Sequence, residues 1–275
     1  MHNFIDVHSH VHDKAFDEDR DAVISEMKEN WFATITVGTD LEESRKAVAT
    51  AEQYDNVWAT VGMHPVDNRV EEFDREAYRE LLMHPKVVAL GECGLDYFHI
   101  KHFEGNNDAE VDRQQQLFTE QIELAAECDK PLMLHGRPDE GMDAYEDMLH
   151  ILSNAKERLG DLPAQAGKVR GNAHFFVGTP EIAKQFNELG FTISFSGVIT
   201  FAKMYEEVVR DIPLEMMHAE TDSPYATPAP HRGKRNTPLY VEHIYEKIAE
   251  IKGLEKEEVR TQLIKNAEMV FGLTK

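Results

Sequence analysis

A chain of 275 residues can bury a full hydrophobic core, and 41% hydrophobic, 9% aromatic and 29% charged residues are the proportions of a globular protein of one or two domains. A net charge of -22 excludes a surface that wraps long nucleic acid over a wide footprint, but it leaves room for a local anion site. Two cysteines, Cys93 and Cys128, exclude a disulfide framework. Acidic residues from Asp6 to Asp21 argue against a signal peptide, and no apolar run approaches the ~20 residues that span a bilayer, so the expected location is the cytoplasm.

In chain order, periodicity predicts strands at 3–8, 32–38, 57–63, 87–92, 131–136, 171–176, 191–197 and 216–222. Amphipathic segments between and after them predict helices at 18–30, 42–54, 74–83, 110–128, 140–158, 180–189, 201–210, 238–251 and 256–270. Eight strands alternating with helices predict an α/β fold, a (β/α)8 TIM barrel, and no Pro/Gly/Ser-rich linker divides it, so residues 1–275 are expected to form one domain.

Such barrels place their chemistry where strands end. His8 and His10 in "DVHSH" follow the first strand, two apart and on one side of it. His64 follows the third in "VGMHP", Glu92 ends the fourth in "ALGECGLDY", and His135 ends the fifth in "LMLHGR". His174 lies in the sixth in "NAHFF", and Asp222 ends the eighth in "AETDSP". Any one of these could shape a turn or sit hydrogen-bonded in a core. Seven on one rim, after apolar runs where such groups are costly unless paired or coordinated, point to metal binding. His84, His150 and His243 are expected in helices and His99 and His102 in a loop, all outside the site.

These motifs, with "RQQQLFTEQIELA", "HFFVGTPEIA", "FTISFSGVITF", "AETDSPYATPAPHRGKRNTP" and "KNAEMVFGL", run in order along nearly the whole chain. Together they resemble the TatD-family metal-dependent deoxyribonucleases, amidohydrolase-like barrels. The resemblance implies two divalent ions held by His8, His10, Glu92, His135, His174 and Asp222, with Glu92 bridging; four imidazoles and two carboxylates suit Zn or Mn and leave room for Mg. It implies His64 on the phosphate side and 3'-to-5' exonuclease action on single-stranded DNA or other nucleic acid; Asp222, which remains an acceptor as a ligand, is expected to orient the attacking water and take its proton, and no obligate protein partner is evident. The chain departs from the family pattern at Phe175, at the "HGR" of the fifth strand and at His12, positions that line the mouth. Residues 99–109 and 159–170 are longer than usual. The first is expected over the active face and the second at the opposite face.

The densest basic stretch, "HRGKRN" at 231–236, follows Asp222, so Arg232, Lys234 and Arg235 are the expected substrate phosphate contacts. Two rivals remain. One is a hydrolase of a small amide, lactone or phosphate ester on the same barrel, with little use for that loop; the other is a non-catalytic metal-binding protein, which a complete ligand set disfavours.

Overall fold

The computed structural model describes residues 2–67, 69–100, 107–162, 164–165 and 167–273. Eight parallel strands lie side by side in sequence order: β1 (Phe4–Ser9), β2 (Phe32–Val37), β3 (Val57–Val61), β4 (Val87–Asp96), β5 (Leu132–Arg137), β6 (Gly171–Ala173), β7 (Phe191–Phe195) and β8 (Met217–Ala219). The sheet comes round on itself through loop backbone beyond β8: Asp222 N–H donates to His8 O at 2.9 Å, and His10 N–H to Ser223 O at 2.7 Å. This is the expected TIM barrel. Strands buried on both faces need β-branched and small residues throughout, and "FATITV" of β2 and "VWATV" of β3 are wholly buried.

The helices between the strands are α1 (Arg20–Glu29), α2 (Leu41–Gln53), α3 (Arg75–Leu82), α4 (Asn107–Glu127), α5 (Ala144–Gly160), α6 (Pro180–Glu188) and α7 (Glu206–Asp211), with α8 (Val241–Lys252) and α9 (Lys256–Phe271) after β8. Side-chain oxygens of Asp40, Asp74, Asp143 and Thr179 accept from first-turn N–H groups and set where α2, α3, α5 and α6 start. Gly253 and Gly272, with φ of 66° and 62°, end α8 and α9 in the left-handed conformation. Ile264, Ala267 and Phe271 of α9 share one apolar cluster with Ile5, Ala33, Trp58, Val88 and Met133 of the first five strands, so its apolar stripe closes the end of the barrel opposite the mouth.

Several expected boundaries move. β4 runs four residues past Glu92, to Asp96, whereas β6 and β8 stop at Ala173 and Ala219, leaving His174 and Asp222 on irregular backbone. The helix expected at 201–210 breaks into short 3-10 turns at 197–200 and 203–205 followed by α7. His84, expected in a helix, lies in the turn after α3, 3.0 Å from Glu52. Most of the expected loop at 99–109, residues 101–106, lies outside the described residues. Residues 167 to 170 lead into the start of β6, where Arg170 pairs with Asp129.

Candidate metal centre

Strand alternation sends Asp6, His8 and His10 to one side of β1. His10 Nδ1–H donates to Val37 O at 2.8 Å, which leaves a lone pair on Nε2 facing the barrel axis. That atom lies 3.4 Å from His8 Nε2, 3.4 Å from Asp222 Oδ1 and 3.9 Å from Glu92 Oε2, while His8 Nε2 is 3.4 Å from the same Glu92 oxygen. Two nitrogens and two carboxylate oxygens thus surround one point.

The other oxygen of Glu92 meets a second group. Glu92 Oε1 lies 2.9 Å from His135 Nδ1, 2.8 Å from His174 Nε2 and 3.6 Å from His64 Nε2. The groups are stacked on each other, with the His8 and His174 rings 3.8 Å apart and 13° from parallel. β4 brings Glu92 here because Gly91 and Gly94 let it run against β5; a Cβ on either would collide with the carbonyl of Met133 or His135. Asp222 reaches the first group with φ at 53°, a costly conformation for a non-glycine residue, held by bonds from its N–H to His8 O and from Tyr225 N–H to its own carbonyl.

A surrounding layer of carboxylates aims the rings. His174 Nδ1 faces Glu220 Oε1 at 3.3 Å, and the fully buried Glu220 also accepts from Phe175 N–H at 2.8 Å and Ser194 Oγ–H at 2.5 Å. Asp96 takes His135 Nε2 at 3.1 Å and His99 Nδ1 at 2.8 Å, and Asp67 takes His64 Nδ1 at 2.9 Å. Asp6 accepts from Thr221 Oγ1–H at 2.6 Å, Thr221 N–H at 2.9 Å and His8 N–H at 3.2 Å, tying β1 to the segment that carries Asp222.

The electrostatics fit bound cations. Burial pushes the Glu92 carboxyl up, but the positive charge of His174 and His8 and hydrogen bonds from His135 and His174 hold it well below the usual carboxylate range. Burial pushes His10 down, yet Asp222 and Glu92 raise it to about 9; burial likewise opposes His135, which Asp96 and Glu92 raise to about 9. His8 is lowered, by burial and by His174. The carboxylates therefore call for positive charge that the rings supply only by taking protons. Divalent ions supply it otherwise: nitrogens bound to zinc at ~2.0–2.1 Å in a tetrahedron are about 3.3–3.4 Å apart, the spacing of His8 and His10. His8, His10 and Glu92 form one group that could hold an ion, and Glu92, His135 and His174 another. The mixed nitrogen and carboxylate donors suit borderline ions such as Zn or Mn.

The centre lies in a cavity of about 1190 Å³, whose lining includes His10, His12, His64, Glu92, His135, His174 and Asp222. His12 is buried, 2.7 Å from Thr36 Oγ1 and 3.4 Å from Glu43. His99, set aside on sequence, does belong to the lining, beside Asp96. Arg232, Lys234 and Arg235 do not form part of it. Arg232 stacks on Phe201 at 3.8 Å, and Arg235 makes a two-pronged pair with Asp19 at 2.7 and 2.8 Å. The cations that do line the cavity, Arg69 and Arg137, are ones the sequence reading passed over. Among the described residues no helix is long and apolar enough to cross a membrane.

Residues 5–272 match the family model described as TatD related DNase. The metal-dependent hydrolase YabD of Bacillus subtilis (strain 168) is 37% identical over 270 residues, covering 97% of this chain and 98% of its own. The metal-dependent hydrolase MJ1582 of Methanocaldococcus jannaschii is 30% identical over 265 residues, covering 96% and 94%. Among solved structures, the TatD homologue YJJV of Escherichia coli k12 superposes with a TM-score of 0.84 at 26% identity, covering 98% of each chain. An organophosphorus hydrolase mutant from Deinococcus radiodurans shares the fold, with a TM-score of 0.62 at 11% identity, covering 98% and 92%. Barrel, buried imidazole–carboxylate cluster and relatives agree: the chain belongs to the TatD family of metal-dependent hydrolases.

Proposed function

We propose that this hydrolase cleaves phosphodiester bonds of nucleic acid with two divalent ions, as a 3'-to-5' exodeoxyribonuclease on single strands. The observation that carries the two-ion reading is Glu92, whose oxygens face separate groups, His8 with His10 and His135 with His174, at the floor of a wide cavity. His8, His10, Glu92 and Asp222 would hold one ion, and Glu92, His135 and His174 the other. Bound there, the ions supply Lewis acidity that makes water a nucleophile near neutral pH and offsets charge on the attacked phosphoryl group.

The chain's own groups do the rest. Asp222 Oδ1 points at the centre beside His10 Nε2 and stays an acceptor, so it orients the water and takes its proton. Asp67 fixes the ring of His64 so that Nε2 faces the second group, where a phosphoryl oxygen would lie. Beyond the scissile bond, the 231–236 loop would meet neighbouring phosphates through Arg232, Lys234 and Arg235. Polarity and preference for DNA follow the family resemblance.

The commitment of Arg235 to Asp19 and of Arg232 to Phe201 favours a second reading, a hydrolase of a small amide, lactone or phosphate ester. Metal-free protein reloaded with Zn, Mn or Mg separates the two when given end-labelled single-stranded DNA, RNA and duplex beside ester and lactone substrates. Shortening of the single strand from its 3' end is expected. Lactone turnover without oligonucleotide cleavage would instead establish the second reading.

A further inference from the structure

Arg137 ends β5, two residues beyond His135, so both side chains leave the same side of the strand and Arg137 stands ~6–7 Å further toward the mouth. It lines the cavity, is exposed to solvent, and its guanidinium lies 4.1 Å from the centre of the Phe98 ring. In this acidic chain several arginines are paired with carboxylates: Arg113 with Glu110, Arg170 with Asp129, Arg235 with Asp19. Arg137 makes no ion pair with any described carboxylate. Its register partner across β4 and β5 is Asp96, but that carboxylate is taken up by His135 and His99. A solvent-exposed cation at the mouth of the centre, with no partner among the described carboxylates, can take an anion from outside. The stack on Phe98 orders the guanidinium while leaving its N–H edge free to bond, and a planar fork of that kind matches two phosphate oxygens at once.

We propose that Arg137, ordered by Phe98, is the residue that holds a non-bridging phosphate oxygen of the substrate and so selects phosphodiesters over neutral esters. This rests on the phosphodiesterase reading above and names the group that enforces it. Arg137 acts by binding; no proton moves through it.

The test uses the metal-loaded full chain and the variants Arg137→Gln and Arg137→Lys. Three quantities are compared: kcat and KM on a single-stranded oligonucleotide, kcat/KM on a neutral aryl ester, and the inhibition constant of inorganic phosphate against ester hydrolysis. Loss of a hydrogen-bonded charge should lower oligonucleotide kcat/KM of Arg137→Gln about 10- to 100-fold, mainly through KM, with metal content retained. The ester loss should be at least about tenfold smaller, the phosphate inhibition constant should rise about tenfold or more, and Arg137→Lys should recover part of each effect. Equal losses on both substrates, or an unchanged phosphate inhibition constant, would overturn the assignment. A wild-type enzyme that turns over the ester but no oligonucleotide would fail the phosphodiesterase reading instead, and phosphate inhibition still decides whether Arg137 is an anion site.

Discussion

Glu92 divides its oxygens between two histidine groups, so replacing one oxygen by an amide nitrogen is a sharp test. In Glu92→Gln one group would face an N–H₂ where it had an acceptor, and the charge that His8, His135 and His174 surround would be gone. A residue that merely supports a ligand costs ~10–100-fold in metal affinity when lost, and a bridging ligand should cost at least ~100-fold. Elemental analysis of the purified variant should show less than the wild-type metal stoichiometry, and circular dichroism an intact barrel. Full stoichiometry with wild-type turnover would remove Glu92 from the centre. Support residues are less exposed to such a test. Glu220 and Asp96 touch the rings from behind, at His174 and His135, and so should alter metal affinity without supplying the first contact.

Among the elements, the seam between β1 and the segment after β8 matters most, because it is built from side chains and loop backbone. Asp6 takes both the N–H and the hydroxyl of Thr221, whose neighbour Asp222 must keep a positive φ to reach the centre. Thr221→Val keeps the shape but leaves a buried carboxylate oxygen without its donor, at a cost of ~1–3 kcal/mol. The melting temperature should fall by ~2–10 °C with a loss of turnover, and Thr221→Ser should restore both. If Thr221→Val matched the wild type in both, the seam would not position Asp222. The same seam explains what the sequence could reveal. His8, His10, His64, His135 and His174 stand out because imidazoles at the ends of apolar runs are conspicuous, and the eight-strand alternation gives the fold. Asp96 was hidden because Gly94 looks like a strand end, whereas it lets β4 continue against β5. Glu220 and Asp67 carry no local signal; their roles exist only once the end of β8 packs beside β7 and β6 and the loop after β3 folds over its own histidine. The basic loop at 231–236 was conspicuous by charge alone, and charge density does not disclose that Asp19, far off in sequence, already holds Arg235.

For the molecule as a whole, the polar interior is an electrostatic load that the apolar barrel must carry. Glu92 and Glu220 are at or near full burial, with His8 and His174 beside them, in a chain of net charge -22. Ions that bind only the folded barrel should relieve that load and stabilise it by mass action. At a free concentration of ~100 times the dissociation constant the gain is about 2.7 kcal/mol per site. For a chain of this size that corresponds to a rise of roughly 5–10 °C in melting temperature for the first ion. The expected series is metal-free protein lowest, single-equivalent protein intermediate and fully loaded protein highest, with chelator reversing the order. Because the two groups share Glu92, the second equivalent should add less than the first: a bridging carboxylate already neutralised by one ion has less charge to offer another. Differential scanning calorimetry across a titration of Zn or Mn checks this directly. One saturating step at a single equivalent would mean that the two histidine groups serve one ion. A melting temperature indifferent to metal would mean that protons on the His10 and His135 rings already balance the carboxylates.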